Sequence, residues 1–528
     1  MSSGSLVARG RIAAVSHSPT ASHAALKLMK EGGNAVDAAV LASLVMGVAE
    51  PGWNGVGGGG FALVYDGGVH VLDYREVAPR RAEPSLYHSE REISEGHKAV
   101  AVPGTLRGLW ELHRRFGRTP WRRILEEAAG YAESWRATWL WSTCLRKGIH
   151  NVWRKLHTSR ESVETWLREG EAPREGEAVP QLRLAKLLRR MGEGVEELYS
   201  GWAAERISDE ILRGGGLLEA EDLERYRPVW RRPVKAKLVL GDLEAEGFSM
   251  PPPGSGAIVL EALKILGLAY EELGRPGLDR YMPLLAHVLQ HALAEREKRI
   301  GDPAYSPLDV EEILGEKHVS EVVERVVEGV GWEPVKGGEE SGTSHITVVD
   351  SEGMWVSLTE SLECFMGSGV TVEGVILNDE MHDFELGEGH LNSIEGGKRP
   401  ASSMSPTILL DEGGEPILAT GASGGLRIIS SIVEVVGDIL LRGVKPAEAV
   451  TRARVHPRGD ILLYEEGLPA EVSEILRRRG FRLRRGGVLS LHPGTDIYFG
   501  AVQTVLREGE ELLAVSDPRK QPGALAAK

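Results

Sequence analysis

The chain has 528 residues, 42% of them hydrophobic and 26% charged, with a formal charge of −15 at pH 7. That is the composition of a globular protein with a sizeable core, and the acidic balance argues against general affinity for nucleic acid or an anionic membrane. Two cysteines, Cys144 and Cys364, make neither a disulfide framework nor a zinc quartet, and the longest apolar run, Ala38 to Ala49, is too short to span a bilayer.

Residues 1–9 carry no charged start ahead of an apolar core, so a cytoplasmic location is expected. Ser18-Pro19 opens a helix with Ala21, Ala24, Ala25, Leu28 and Met29 on one face, and Gly32-Gly33 ends it. Asn34 caps a second helix, apolar nearly all round and therefore buried. Gly55 to Gly60 formally matches a dinucleotide-binding fingerprint, but these glycines lead into a strand, Phe61 to Tyr65, rather than a helix. No cofactor is expected there; the glycines read as a place where backbones approach closely. A hairpin at Asp66-Gly67-Gly68 returns through Val69 to Tyr74 and delivers Arg75 at its end.

Between Trp135 and Glu171 tryptophans alternate with basic residues, a pattern open to single-stranded nucleic acid. In so acidic a chain, amphipathic helices covering the core are the better reading. His287, His291 and Glu295 share a helix face, yet the general-base Glu of H-E-x-x-H is missing, and no metal site is expected. Residues 331–342 are polar and glycine-rich, a loop suited to cleavage.

That loop ends at Gly342-Thr343, where a strand through Ile346 and Val348 begins; Ser351-Glu352-Gly353 turns it into a second strand, Met354 to Thr359. Attack by the Thr343 hydroxyl on the Gly342 carbonyl would give an ester that water opens. It would leave Thr343 with a free α-amine able to act as base towards its own hydroxyl. Further on, Pro416 to Thr420 reads as a strand, Gly421 to Gly425 as a tight loop, and Leu426 to Leu441 as a helix whose first N–H groups favour an anion. For acyl transfer that anion is the tetrahedral oxyanion.

Gly342-Thr343-Ser344-His345, Leu377-Asn378, Met381-His382-Asp383-Phe384, Ser402-Ser403-Met404-Ser405 and Thr420 to Gly425 together resemble the small subunit of the γ-glutamyltransferases, which are N-terminal-nucleophile hydrolases. Lys30 to Ala39 and Ala101 to Thr105 resemble the large subunit. The resemblance implies a four-layer αββα sandwich made by both halves of a self-cleaved precursor, residues 1–342 and 343–528. It implies Thr343 as nucleophile with Ser361 beside it, Gly424 and Gly425 as oxyanion donors, and Gly342-Thr343 as the cleavage site. Arg75, Ser402 and Ser403 match residues that hold the donor carboxylate, while Glu363, Glu380 and Asp383 stand where the family holds the donor α-amine. Expected partners are a γ-glutamyl donor such as glutathione and water or an amino acid as acceptor, with no nucleic acid, membrane or cofactor. A homo-oligomer of the two-piece unit stays open.

The chain departs from the pattern in three places. The amine set is more acidic than usual, the aromatic lid between Phe384 and Ser402 is largely absent, and the residue before the cut is Gly342. Three other readings stand beside the first. One is a glutaryl- or cephalosporin-type amide acylase on the same scaffold. Another is an α/β-hydrolase esterase using Ser423 of Gly421-Ala422-Ser423-Gly424-Gly425, with Asp438 and His456. The third is an uncleaved, non-catalytic binding homologue.

Overall fold

The computed structural model describes residues 5–330 and 342–528. Most of the predicted cleavage loop therefore lies outside the described residues. Fourteen strands build two seven-stranded sheets, in which every neighbouring pair is antiparallel. In chain order they are β1 (Val7–Gly10), β2 (Ile12–Ser16), β3 (Gly59–Tyr65), β4 (Val69–Tyr74), β5 (Val229–Arg231), β6 (Val234–Leu240), β7 (Leu243–Ser249), β8 (Gly342–Val349), β9 (Trp355–Glu363), β10 (Thr407–Leu410), β11 (Pro416–Ser423), β12 (Ala501–Glu508), β13 (Glu511–Ser516) and β14 (Gly523–Ala527). The first sheet runs β14-β2-β8-β9-β3-β4-β5 and the second β1-β13-β12-β11-β10-β7-β6.

Alternation along the strands explains the layering. In the first sheet Ile12, Ala14, Ala62, Val64, Ile346, Val348 and Leu358 point to helices α1 (Pro19–Lys30) and α2 (Ala35–Ala49). Ala13, Val15, Phe61, Leu63 and Val349 point the other way, into the core shared with the second sheet. Helices α3 (Gly256–Glu272), α4 (Leu278–Arg299) and α5 (Arg427–Leu440) belong to that second core. The result is the expected αββα sandwich. Its centre requires residues from both sides of Thr343, because β8 pairs with β2 on one edge and β9 pairs with β3 on the other.

Helix α2 starts as its sequence dictates. Asn34 accepts the Asp37 N–H at 2.9 Å, and the Asp37 carboxylate accepts the Asn34 N–H at 3.2 Å. The glycines before β3 act as close-approach positions: a Cβ on Gly58 would lie 2.0 Å from the Ser361 carbonyl oxygen. The Trp-rich region is a cover of short amphipathic helices, each with one buried face. Trp135 meets Trp141 and Trp166 edge-on, Trp141 and Trp166 lie tilted against each other, and Lys155 forms a buried ion pair with Asp379 at 2.7 Å. No helix among the described residues is long and apolar enough to cross a membrane.

A polar seam runs between the sheets. His345 lies against Thr359 Oγ1 (2.7 Å, through Nδ1) and Thr347 Oγ1 (3.0 Å, through Nε2), and burial pushes its imidazole down to about 3, so it stays neutral. Its ring faces Gly421 of β11, where a Cβ would sit 2.3 Å away. Because the ring is held on both nitrogens, it cannot yield. Gly421→Ala should destabilise the protein by about 1–3 kcal/mol, an overpacking cost read from the midpoint of urea unfolding. An unchanged midpoint would show that the sheets can part there.

Candidate active site

The peptide between Gly342 and Thr343 sits at a bulge. Gly342 pairs with Glu363 but Thr343 pairs with Ser361, so β9 holds one extra residue opposite the junction. Ser361 exploits the kink. Its hydroxyl donates to the Gly342 carbonyl at 2.6 Å, accepts the Glu363 N–H at 2.8 Å, and lies 3.5 Å from Thr343 Oγ1. From the other side Lys520 donates to the Thr343 carbonyl at 2.6 Å while standing over the Trp53 ring. Burial lowers the Lys520 ammonium to about 7, and the nearby Glu50 carboxyl is raised by burial to about 8.

Thr343 and Ser361 open onto a cavity of about 310 Å³ that Arg75, Glu363, Asp383, Ser402, Ser403 and Gly425 also line. Sequence-distant residues that the resemblance names thus line one cavity, and two others that it names do not. Gly424 borders a small neighbouring cavity with Ser423 and Lys520, and Glu380 lies behind the wall rather than in it. Gly424 and Gly425 have φ of 121° and 57°, conformations that L side chains rarely adopt. Strand β11 runs on to Ser423, so the turn before α5 is shorter than the sequence suggests.

The electrostatics of the pocket are its least expected feature. Arg75 is fully buried, and its guanidinium is already committed. It meets Glu380 Oε1 at 2.5 Å, Glu76 Oε2 at 3.3 Å, and Asp383, and it donates to the Pro400 carbonyl at 3.3 Å. Burial raises the carboxyls of Glu363 and Glu380 well above the usual range, with Arg75 pulling them back. For Glu363 the Asp383 and Asp379 charges add to the rise. Glu363 also sits at φ 74°, a left-handed position for a residue with a Cβ.

Four groups were given no role by the sequence. Arg296, Asn392 and His382 line the cavity, and Lys520 grips the nucleophile's own carbonyl. Residues 385–399 do form a short connection. Glu385 donates its N–H to the Asn392 carbonyl at 2.9 Å, and Asn392 ties back to Asp383 and Ala401. His382 stands inside the Met381–Phe384 stretch that carries the resemblance but had no role there; Arg296, Asn392 and Lys520 sit in no motif, and only the three-dimensional packing places them.

The esterase constellation is not assembled. His456 Nδ1 lies 2.8 Å from Ser430 Oγ, Asp438 pairs with Arg442 and Arg452, and Ser423 ends an antiparallel strand rather than a parallel one.

A model of the family described as gamma-glutamyltranspeptidase matches residues 21–527. The chain belongs to that family. A glutathione hydrolase proenzyme of Pseudomonas aeruginosa is 33% identical over 96% of this chain and 92% of its own. The acylase ACY 1 proenzyme of Pseudomonas sp. (strain SE83) is 31% identical over 89% and 87%. Among solved structures, a cephalosporin acylase from Bacillus halodurans superposes with a TM-score of 0.87 at 26% identity, covering 100% of this chain and 98% of that one. The sandwich is thus shared with that acylase, and the two relatives named here carry the word proenzyme in their own names.

Proposed function

We propose that the chain is a γ-glutamyltransferase proenzyme that cuts itself before Thr343 and then transfers or hydrolyses γ-glutamyl groups of glutathione-like amides. The observation that carries this is the Ser361 hydroxyl on the Gly342 carbonyl, with the Thr343 hydroxyl alongside and a cavity open to both. In maturation Thr343 Oγ1 bonds to the Gly342 carbonyl carbon, Ser361 steadies the negative charge on the oxygen, and the C–N bond breaks as the hydroxyl proton passes to nitrogen. Water then opens the ester, and residues 1–342 and 343–528 remain associated through the shared sheets.

In turnover the new Thr343 amine takes the proton of its own hydroxyl, which attacks the γ-carbonyl of the donor. N–H groups at Gly424 and Gly425 stabilise the tetrahedral oxyanion. The donor amine leaves with a proton, and the acyl-enzyme passes its group to water or to an amino-acid amine. Ser402 and Ser403 offer hydroxyls to the donor carboxylate, while Glu363, Glu380 and Asp383 provide the negative surroundings that an ammonium group requires.

Ser361→Ala should slow maturation by about 10²–10³-fold, the usual cost of losing one oxyanion donor. A time course of fragment appearance on denaturing gels reads it, and maturation at the wild-type rate would remove Ser361 from the cleavage step. With so short a segment between Glu385 and Arg399, water reaches the acyl-enzyme easily, so hydrolysis should outrun transfer. The function is tested by following a γ-glutamyl anilide with and without a dipeptide acceptor. Release of the aniline unaffected by low acceptor concentrations supports the reading, and no release from the matured protein would end it.

A further inference from the structure

Away from the catalytic cavity, one carboxylate and two imidazoles from three helices converge on a point. Glu261 of α3 is fully buried, His291 of α4 is buried, and His318 on the helix Glu316–Val327 is 23% exposed. His291 Nε2 lies 2.8 Å and His318 Nε2 2.7 Å from the same oxygen, Glu261 Oε1. The three ligand atoms all fall within 4.8 Å of one another, and the two rings are 5.8 Å apart at 39°. The other oxygen, Glu261 Oε2, is buried and accepts no hydrogen bond among the described residues.

Hydrogen bonding accounts for only half of that carboxylate. Leaving a buried acceptor unpaired is costly, and a cation beside the carboxylate would satisfy it. Two imidazole nitrogens and a carboxylate oxygen are a donor set of the zinc type, with a fourth position left for water. Metal–ligand bonds of about 2.0–2.2 Å would require the two N···O separations to open by roughly half an ångström, within the reach of side-chain rotation. The exposed edge of His318 supplies an entry path.

The helical face His287–His291–Glu295 anticipated from spacing does not form this site. His287 Nδ1 turns to Gln290 at 3.2 Å and Glu295 pairs with Arg299 at 2.6 Å, so of that face only His291 joins the cluster. We propose that Glu261, His291 and His318 bind a divalent transition-metal cation of the zinc class, which clamps α3, α4 and the Glu316–Val327 helix together. Because α4 also carries Leu293 and Arg296 into the catalytic cavity, the clamp would stiffen one wall of the donor pocket without touching the reacting atoms.

The test uses the full-length protein stripped with chelator and titrated with Zn²⁺ and with Co²⁺. The expected result is one tight ion per chain, a zinc-dependent rise in Tm, and visible Co²⁺ bands without a sulfur-to-metal transition. His318→Ala, at a partly exposed position, and the isosteric Glu261→Gln should each weaken binding at least about tenfold while the proteins stay folded by circular dichroism. Absence of binding at micromolar metal would overturn the proposal. So would a Co²⁺ spectrum with a thiolate band that survives His318→Ala, because that ion would sit at the other described Cys/His cluster, Glu363, Cys364 and His382.

Discussion

Thr343→Ala should leave a single uncut chain of 57.4 kDa with no measurable turnover. The substitution removes the one oxygen able to attack the Gly342 carbonyl, and with it the acyl-accepting group of the mature protein. Loss of a covalent nucleophile typically costs roughly 10⁴–10⁶-fold in rate. The fold should survive, because Thr343 pairs with Ser361 through its backbone and Lys520 holds its carbonyl rather than its hydroxyl. Ser423→Ala is the matching control. Its hydroxyl borders a different small cavity and is not held by His456, so both cleavage and activity should persist. Intact cleavage in Thr343→Ala, or loss of activity in Ser423→Ala, would reassign the nucleophile.

The second large effect concerns donor choice. Arg75 is paired with Glu380, Asp383 and Glu76, so it offers the donor little free positive charge. Burial is the main cause that raises Glu363 and Glu380, and repulsion from neighbouring carboxylates adds to it; an ammonium on the donor offsets that repulsion, whereas a des-amino glutaryl donor leaves it standing. A buried charge-assisted bond is worth roughly 1.5–3 kcal/mol; Glu363 lines the cavity while Glu380 lies behind its wall, so Glu363→Asn with Glu380→Gln should remove about one such bond and cut the preference for γ-glutamyl over glutaryl anilide by about 10–100-fold.

The pH dependence has a definite sign. Both carboxyls titrate above their ordinary range, so lowering pH through those raised values neutralises them and KM for the cationic donor should rise, while KM for the glutaryl donor changes little. Glu363→Asn has a second consequence. Asn tolerates the left-handed φ that Glu363 holds, so the variant should keep its thermal midpoint even as selectivity falls. An unchanged donor ratio in the double variant would show that these residues do not read the amine. A wild type that prefers the glutaryl compound would make the acylase reading the better one.

Local patterns carried much of this site. The Gly342–Asp350 stretch, its return through Trp355, the capped helix at Asn34 and the glycine turn before α5 follow from alternation, capping residues and chain-break signals. Partners set by long-range packing did not show. Nothing near Arg75 in sequence announces Glu380 and Asp383, three hundred residues on, and nothing around Lys520 points to Thr343. The bulge at Gly342 is a matter of register between two strands, and register is fixed by which face each strand buries. His291 shows the same limit in reverse: spacing offered partners on its own helix, while packing supplies Glu261 and His318 from two others.

The most direct test of the central claim is the mass of the purified wild-type protein under denaturing conditions, with the N-terminal residue of each polypeptide identified. Self-cleavage before Thr343 gives two polypeptides, the smaller spanning residues 343–528 and starting at Thr343 with a free amine. A single intact chain of 57.4 kDa that nonetheless turns over γ-glutamyl anilide would contradict it.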